Sequence, residues 1–320
     1  MKAKFLLLAV LALVAAAGFV GFAWWGPGPA DEPVTVEIER GSSLARASYQ
    51  LEKAGAIRSA GLFRRLASRL GRKSPVKFGT YEIPAGASAD QILRLLQAGE
   101  ALQYRITIPE GMPAILVQER LMATPGMSGT VPVAAEGSIL PDTYSFERGE
   151  ARARVQQRMQ AAMTRTLADL WKNRKPTTVV KSPKEAIILA SIVEKETGKS
   201  AERRIVAGVY SNRLRIGMKL DADPTVIYPV TKGKPLGRRI RRSELRRDTG
   251  YNTYLKPGLP AGPIANPGRA SIAAVLDPQS TKALYFVADG TGGHVFATTL
   301  REQNANVAKW RSLRRARGEM

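Results

Sequence analysis

Apolar and polar positions divide the chain into three stretches. Residues 5–25 run apolar without a single charge. From about residue 34 to 100, short alternating segments trade places with amphipathic ones. Beyond that, one almost wholly apolar segment at 186–193 stands among amphipathic helices and is followed by a loop-rich remainder.

The segment from Ser182 to Gly198 organises this reading. Ser182 suits an N-cap, Pro183 the first helical position, and Glu185 completes an S-x-x-E capping box. Gly198 is expected to end the helix in the left-handed region. Ala186 to Val193 predicts burial on most sides, yet the last turn carries Glu194 and Glu196. A carboxylate at the negative end of the helix dipole is disfavoured by roughly 0.3–1 kcal/mol, and burial adds to that. Both effects raise a carboxyl pKa, as a general acid working near neutrality requires. The plainer alternative is that both side chains reach solvent. Two positions are about 200° apart on a helix, so the two residues face nearly opposite ways. Glu196 extends the stripe of Leu189, Ile192 and Val193, whereas Glu194 lies above Ala190 and Ser191. Glu196 is therefore the candidate for a desolvated acid, with Thr197 expected to hold its carboxyl by a hydrogen bond.

Residues 5–25 are long enough to cross a bilayer, and Lys2 and Lys4 before them leave a cytoplasmic tail at 1–4. Trp24 and Trp25 are expected at the outer interface. A cleavable signal peptide is the alternative to an uncleaved anchor. Residues 26–34 read as a stiff Gly/Pro linker. From 35 to 105 the pattern predicts a small α/β module: strands at 34–38 and 78–83, and helices from Gly41, over 62–70 and from Ser88. Its element order is similar to a LysM-like wall-binding module, with a structural spacer as the other reading. Residues 106–320 form the remaining domain. It is expected to hold a strand at 106–108, a helix ending near Met122, an irregular polar stretch at 136–146 and a basic helix at 150–174. A helix over 200–216, a short one at 271–276 and a closing hairpin follow. Three polar loops, 221–228, 251–254 and 258–268, are rigid by composition and suit a groove for sugar-like ligands. Ordinary turn chemistry fits any one of them.

Composition narrows the chemistry. The 320 residues include no cysteine and one histidine, His294. Disulfides, thiolate metal sites and a cysteine nucleophile are excluded, a His-rich metal site cannot be built, and a Ser-His-Asp triad is improbable. Hydrolytic or lytic chemistry then rests on carboxylates, Lys or Tyr, with no cofactor and no metal expected. A net charge of +22 attracts polyanions, whether nucleic acid, lipid head groups or a wall polymer. The apolar segment and the absence of a nucleic-acid-binding motif argue against nucleic acid. The arginines between 238 and 247 read as a solvated face, or as a contact for anionic polymer or lipid.

Several strings occur in order. They are Pro109-Glu-Gly111, Pro141-Asp-Thr-Tyr144, Leu189-Ala-Ser-Ile-Val-Glu-Lys-Glu-Thr197, Asn212-Arg-Leu-Arg-Ile-Gly-Met218, Asp223-Pro-Thr-Val-Ile-Tyr228 and Tyr251-Asn-Thr-Tyr254. Gly258-Leu-Pro260, Pro263-Ile-Ala265, Leu284-Tyr-Phe-Val-Ala-Asp-Gly290 and Gly293-His294 complete the series. In these the chain resembles the MltG (YceG-like) family of membrane-anchored endolytic murein transglycosylases. The resemblance implies an α+β protein with an N-terminal membrane helix, a LysM-like module and a lysozyme-like, YceG-type catalytic domain. It implies cleavage of the bond between N-acetylmuramic acid and N-acetylglucosamine inside a glycan strand, leaving 1,6-anhydro ends. Aligned on the family, the catalytic residue is Glu196. Asp223, Thr225, Tyr251, Asn252, Asn266 and Glu194 are expected around the sugar, with Glu136 and Asp142 as additions. The implied partners are peptidoglycan, the bacterial inner membrane, and penicillin-binding proteins with glycan polymerases. A membrane-anchored scaffold that binds glycan without cutting it is the alternative.

Overall fold

The computed structural model describes residues 2–39, 41–71 and 74–318. Met1 of the expected tail, Arg40, Arg72 and Lys73 of the module, and Glu319 and Met320 at the C-terminus lie outside them. The elements are α1 Lys2–Trp25, β1 Val34–Ile38, α2 Leu44–Lys53, α3 Ala60–Leu70, β2 Gly79–Ile83, α4 Ala89–Ala98, β3 Tyr104–Thr107, α5 Ala114–Ala123, β4 Thr143–Phe146 and α6 Arg152–Lys172. They continue with α7 Pro183–Glu196, α8 Arg203–Arg215, α9 Asp223–Thr231, α10 Arg242–Leu245, α11 Arg269–Leu276, β5 Tyr285–Ala288, β6 His294–Ala297 and α12 Leu300–Ala316. Among the described residues helices dominate and the strands form three two-stranded ribbons, an α+β arrangement.

Two compact units emerge. One takes in the chain up to Tyr104 together with Ser145–Gly149, and the other takes in Arg105–Tyr144 and everything from Glu150 on. The chain passes between them along β3 and β4. Tyr104 stacks on Phe146 in the first unit, and the Thr107 and Thr143 hydroxyls are 2.9 Å apart in the second.

In the first unit β1 and β2 pair antiparallel, Val34 opposite Ile83 and Ile38 opposite Gly79. Their inward residues Val36, Ile38, Tyr81 and Ile83 meet Leu51 of α2, Phe63 of α3 and Ile92 and Leu96 of α4. Ser43, Ser59 and Ser88 cap the three helices, and Ser88 with Gln91 makes a full capping box. Helix α1 is apolar enough to cross a membrane over Ala3–Trp25, with a mean hydropathy of 2.7. Its end departs from the sequence expectation. Trp25 is exposed, but Trp24 is 1% exposed and lies 6.0 Å from the Phe63 ring. One indole therefore belongs to the core of the unit, because successive residues on a helix point 100° apart. The Gly/Pro stretch after it is stitched down. Gly28 N–H donates to Gly86 O at 3.1 Å, Gly86 N–H to Ala30 O at 2.8 Å, and Arg58 to Pro27 O at 3.0 Å. A Cβ on Gly28 would lie 2.4 Å from the Ala87 carbonyl oxygen, so only glycine fits this approach.

In the second unit α7 is the central element, packed by α11, α8, α6 and α9. Every residue from Ala186 to Val193 is buried. Ser182 caps the helix by accepting from Glu185 N–H at 3.2 Å, but the capping box is displaced. The Glu185 carboxylate accepts the Lys181 amide at 2.6 Å, one residue before the cap. The helix also leaves differently from expectation. Thr197 is extended, with φ −137° and ψ 131°, and Gly198 is not left-handed. The stretch 221–228, read from sequence as a loop, is mostly helix α9. Pro224 sits in its first turn, where a missing N–H costs nothing, and Lys232 ends it in the left-handed region. The polar stretch before Phe146 likewise contains β4. Strands β5 and β6 pair antiparallel, Tyr285 opposite Ala297, and α12 packs on them.

Candidate active site

Glu196 ends α7 beside the buried face of α8. Tyr210, 2% exposed, donates its hydroxyl to the Glu196 carboxyl. Arg213, one turn further along α8, is also buried. Its Nε donates to Leu284 O at 2.6 Å and its Nη1 to Leu220 O at 2.7 Å, which fixes the guanidinium. Asp223 opens α9 nearby and accepts the Tyr254 hydroxyl at 2.5 Å. Burial pushes the Glu196 carboxyl up to about 7; the Asp223 charge adds to this, while Tyr210 and Arg213 oppose it. Burial likewise holds the phenols of Tyr210 and Tyr254 above the ordinary tyrosine range, so both stay protonated donors. At neutral pH Glu196 can then both give and take a proton.

Glu194 is placed otherwise. Its side chain is 4% exposed and accepts from Arg203 Nη2 at 3.3 Å and from Gly268 N–H at 2.8 Å. It joins α7, α8 and the loop before α11. Thr197 does not hold the Glu196 carboxyl, as the sequence suggested. The extended backbone at the helix end turns its hydroxyl to Glu202, to which it donates at 3.2 Å. Glu202 in turn binds His294 Nδ1 at 2.7 Å and the His294 amide at 3.0 Å, tying β6 to the end of α7.

The expected sugar-binding residues divide into two sets. Asp223 is coupled to Glu196 by charge. Tyr251 packs 5.0 Å from Tyr228. The others are spent on backbone. Thr225 is fully buried, donates to Ala222 O at 2.6 Å and lies 2.9 Å from the Thr253 hydroxyl. Asn252 donates to the carbonyls of Leu245 and Arg247 at 3.0 Å and accepts the Tyr254 amide at 3.0 Å. Asn266 is fully buried, accepts Ile139 N–H at 3.0 Å and donates to Met112 O at 2.9 Å, so it pins three segments together. Asp142 is exposed and accepts the Thr143 amide at 2.7 Å.

A second carboxyl is raised to about 7. Glu136 is half-buried, and desolvation raises it against hydrogen bonds from the Ala114 and Gly137 amides and the Tyr228 hydroxyl and the charge of Lys195. The Ala114 bond, 2.9 Å, satisfies an amide at the start of α5. Glu136, Tyr228 and Tyr251 thus form a continuous line of side chains. Sequence reasoning had not singled out Tyr210, Arg213, Tyr228 or Tyr254. The available signal was a Tyr and an Arg three apart on the face of α8 that otherwise reads apolar. Among the described residues no group of three or more His, Asp or Glu is placed to hold a metal ion.

In this α+β unit the central buried helix ends on a carboxyl poised near neutrality, the arrangement that carboxylate acid–base chemistry requires. The YceG-like family model matches residues 36–309, and the chain belongs to that family. An endolytic murein transglycosylase of Bacillus subtilis (strain 168) is 28% identical over 309 residues, covering 87% of this chain and 84% of that protein. One from Streptococcus pneumoniae serotype 2 is 28% identical over 357 residues; the match covers 94% of this chain but 64% of that longer protein. A crystal structure of a yceG-like protein from Listeria monocytogenes matches with a TM-score of 0.54 at 28% identity, over 86% of this chain and 98% of that one.

Proposed function

We propose that this protein is an endolytic murein transglycosylase in which Glu196 is the acid and then the base. The observation that carries the reading is the Glu196 carboxyl near 7, held by Tyr210 at the end of a helix whose segment Ala186–Val193 is wholly buried. The names of the Bacillus and Streptococcus relatives support the substrate class. Protonated Glu196 donates to the glycosidic oxygen between N-acetylmuramic acid and N-acetylglucosamine as that bond breaks. The resulting carboxylate takes the proton of the C6 hydroxyl on the same muramic acid. The C6 oxygen bonds to C1, and a 1,6-anhydro ring closes without water. Asp223 and the Tyr254 and Tyr251 phenols face the oxocarbenium-like charge and the sugar hydroxyls. Asn252, Thr225, Asn266 and Glu194 act from behind, by holding the loops and helices that carry them.

The apolar helix α1 anchors the chain in the bacterial inner membrane, with Lys2 and Lys4 inside and the chain beyond Trp25 outside. The 35–105 module binds wall glycan in the manner of a LysM-like unit, and the cut limits nascent strands made by glycan polymerases and penicillin-binding proteins.

The test is mass spectrometry of the fragments released from peptidoglycan by the full chain in detergent, beside Glu196→Gln. Ends bearing 1,6-anhydro-muramic acid, lost in the variant, are expected. Reducing ends point to hydrolysis and a second carboxylate. Glycan binding with no cleavage turns the protein into a scaffold.

A further inference from the structure

A cleft of about 480 Å³ opens in the second unit between the start of α5, the outer side of α9 and the turn after it. Met112, Pro113, Leu116 and Ile227 give it apolar walls, with the Tyr228 ring beside them. Lys195 in the last turn of α7 and Pro224 in the first turn of α9 also line it, so the cleft opens at the same helix ends that carry Glu196 and Asp223. The charges around it are settled except one. Glu110 is paired to Arg203 at 2.7 Å, and Lys234 to Glu119 at 2.6 Å. Lys195 is exposed and makes no ion pair among the described residues; its charge acts at longer range on Glu136. An apolar, proline-walled cleft with one free ammonium suits a short aliphatic chain that carries a carboxylate.

We propose that this cleft receives the peptide stem of the muramic acid whose bond is cut, and that Lys195 Nζ binds a carboxylate of that stem. The inference rests on the glycan-cleaving reading for the identity of the ligand. In murein the lactyl group is already joined to the stem by an amide, so the carboxylates near the glycan belong to the stem itself. A sugar seated at Glu196 would send its stem along one side of α7. Lys195 makes anionic stems a requirement for tight binding, where the acid alone would accept any strand.

Equilibrium binding separates this from catalysis. The probes are soluble uncross-linked murein strands, either intact or with their stem carboxylates converted to amides by carbodiimide and ammonia. The full chain carrying Glu196→Gln, in detergent, is expected to bind intact strands about tenfold more tightly than amidated ones, the size of one charge-assisted hydrogen bond. Adding Lys195→Met brings the two within about twofold, and Lys195→Arg keeps the preference. Equal binding of both strands by Glu196→Gln, or a preference that survives Lys195→Met, overturns the proposal. Turnover by the wild-type chain is scored separately on the same strands. A stem preference that depends on Lys195, without release of 1,6-anhydro ends, sinks the lytic reading and leaves the stem subsite standing.

Discussion

Tyr210 and Glu196 meet hydroxyl to carboxyl between α8 and α7, and the phenol is the donor because burial keeps it protonated. A hydrogen bond to the carboxylate favours the ionised acid and restrains the rise that burial imposes. Activity is therefore expected to fall as pH rises through about 7, where Glu196 loses its proton. Tyr210→Phe removes the restraint, and the alkaline limb should move up by about half to one pH unit. The pH–rate profile for release of glycan fragments measures this. A limb that moves down, or not at all, means that Glu196 is not the titrating acid.

Stability should follow two carboxyls, Glu196 and Glu136. Glu196 and Glu136 both titrate near 7 in the folded chain, against about 4.3 for an ordinary glutamate. Between those values the folded state holds protons that the unfolded state releases. The contribution is complete at the acid end of that window and is lost as pH rises through 7. Thermal melts should show Glu196→Gln and Glu136→Gln stabilised over wild type at pH 8 by on the order of 1–3 kcal/mol, with the gain shrinking at pH 5.5. A gain that stays the same at both pH values contradicts the assignment.

Glu194, two residues earlier on the same helix, should behave oppositely. Its carboxylate meets Arg203, whose side chain is 11% exposed, and the Gly268 amide. Glu194→Ala leaves that guanidinium with Glu110 alone and is expected to cost about 2–4 kcal/mol at neutral pH. Denaturant unfolding read beside Glu196→Gln gives the contrast directly.

Helix α8 passes close to the turn after α11. A Cβ on Gly208 would lie 2.4 Å from the Gln279 carbonyl oxygen and 3.0 Å from the Thr281 methyl. Gly208→Ala, usually favourable within a helix, should here destabilise by about 1–3 kcal/mol. A melting temperature equal to or above wild type would show that the turn yields.

The two tryptophans at the end of α1 should separate cleanly. Trp24→Ala opens a cavity in the core of the first unit and is expected to cost about 3–5 kcal/mol, whereas Trp25→Ala, on the exposed side, costs about 0.5 kcal/mol or less. Melting of the full chain in detergent distinguishes them. Equal losses would return both indoles to a common interfacial role.

Much of this architecture is legible in the chain because it is local. Ser43, Ser88 and Ser182 announce their helices through bonds spanning three residues. The almost wholly apolar run from Ala186 to Val193 predicts a helical segment covered on most sides, and every residue in it is buried. Phasing along α7 puts Glu196 on the stripe of Leu189, Ile192 and Val193, and its carboxyl is the one of the pair pushed up to about 7. Polar residues in loops misled for a physical reason. Thr225, Asn252 and Asn266 have the chemistry to bind a sugar, but the same groups satisfy buried backbone, and a sequence does not say which partner arrives first.

By itself the sequence determined most of the elements, the apolar first helix and the exclusion of thiol chemistry, and it set Glu196 rather than Glu194 on the apolar stripe of α7, since each depends on spacing or inventory alone. Only the tertiary structure decided that Trp24 is core, that Thr197 serves Glu202, that Tyr210 and Arg213 frame the acid, and that Glu136 is a second raised carboxyl. It alone brought Lys195 to the edge of a cleft walled by α5 and α9. These relationships join residues far apart in the chain, or turn on which face of an element is covered. Desolvation and pairing are properties of the packed surroundings, which helical phasing foreshadows only within a turn or two.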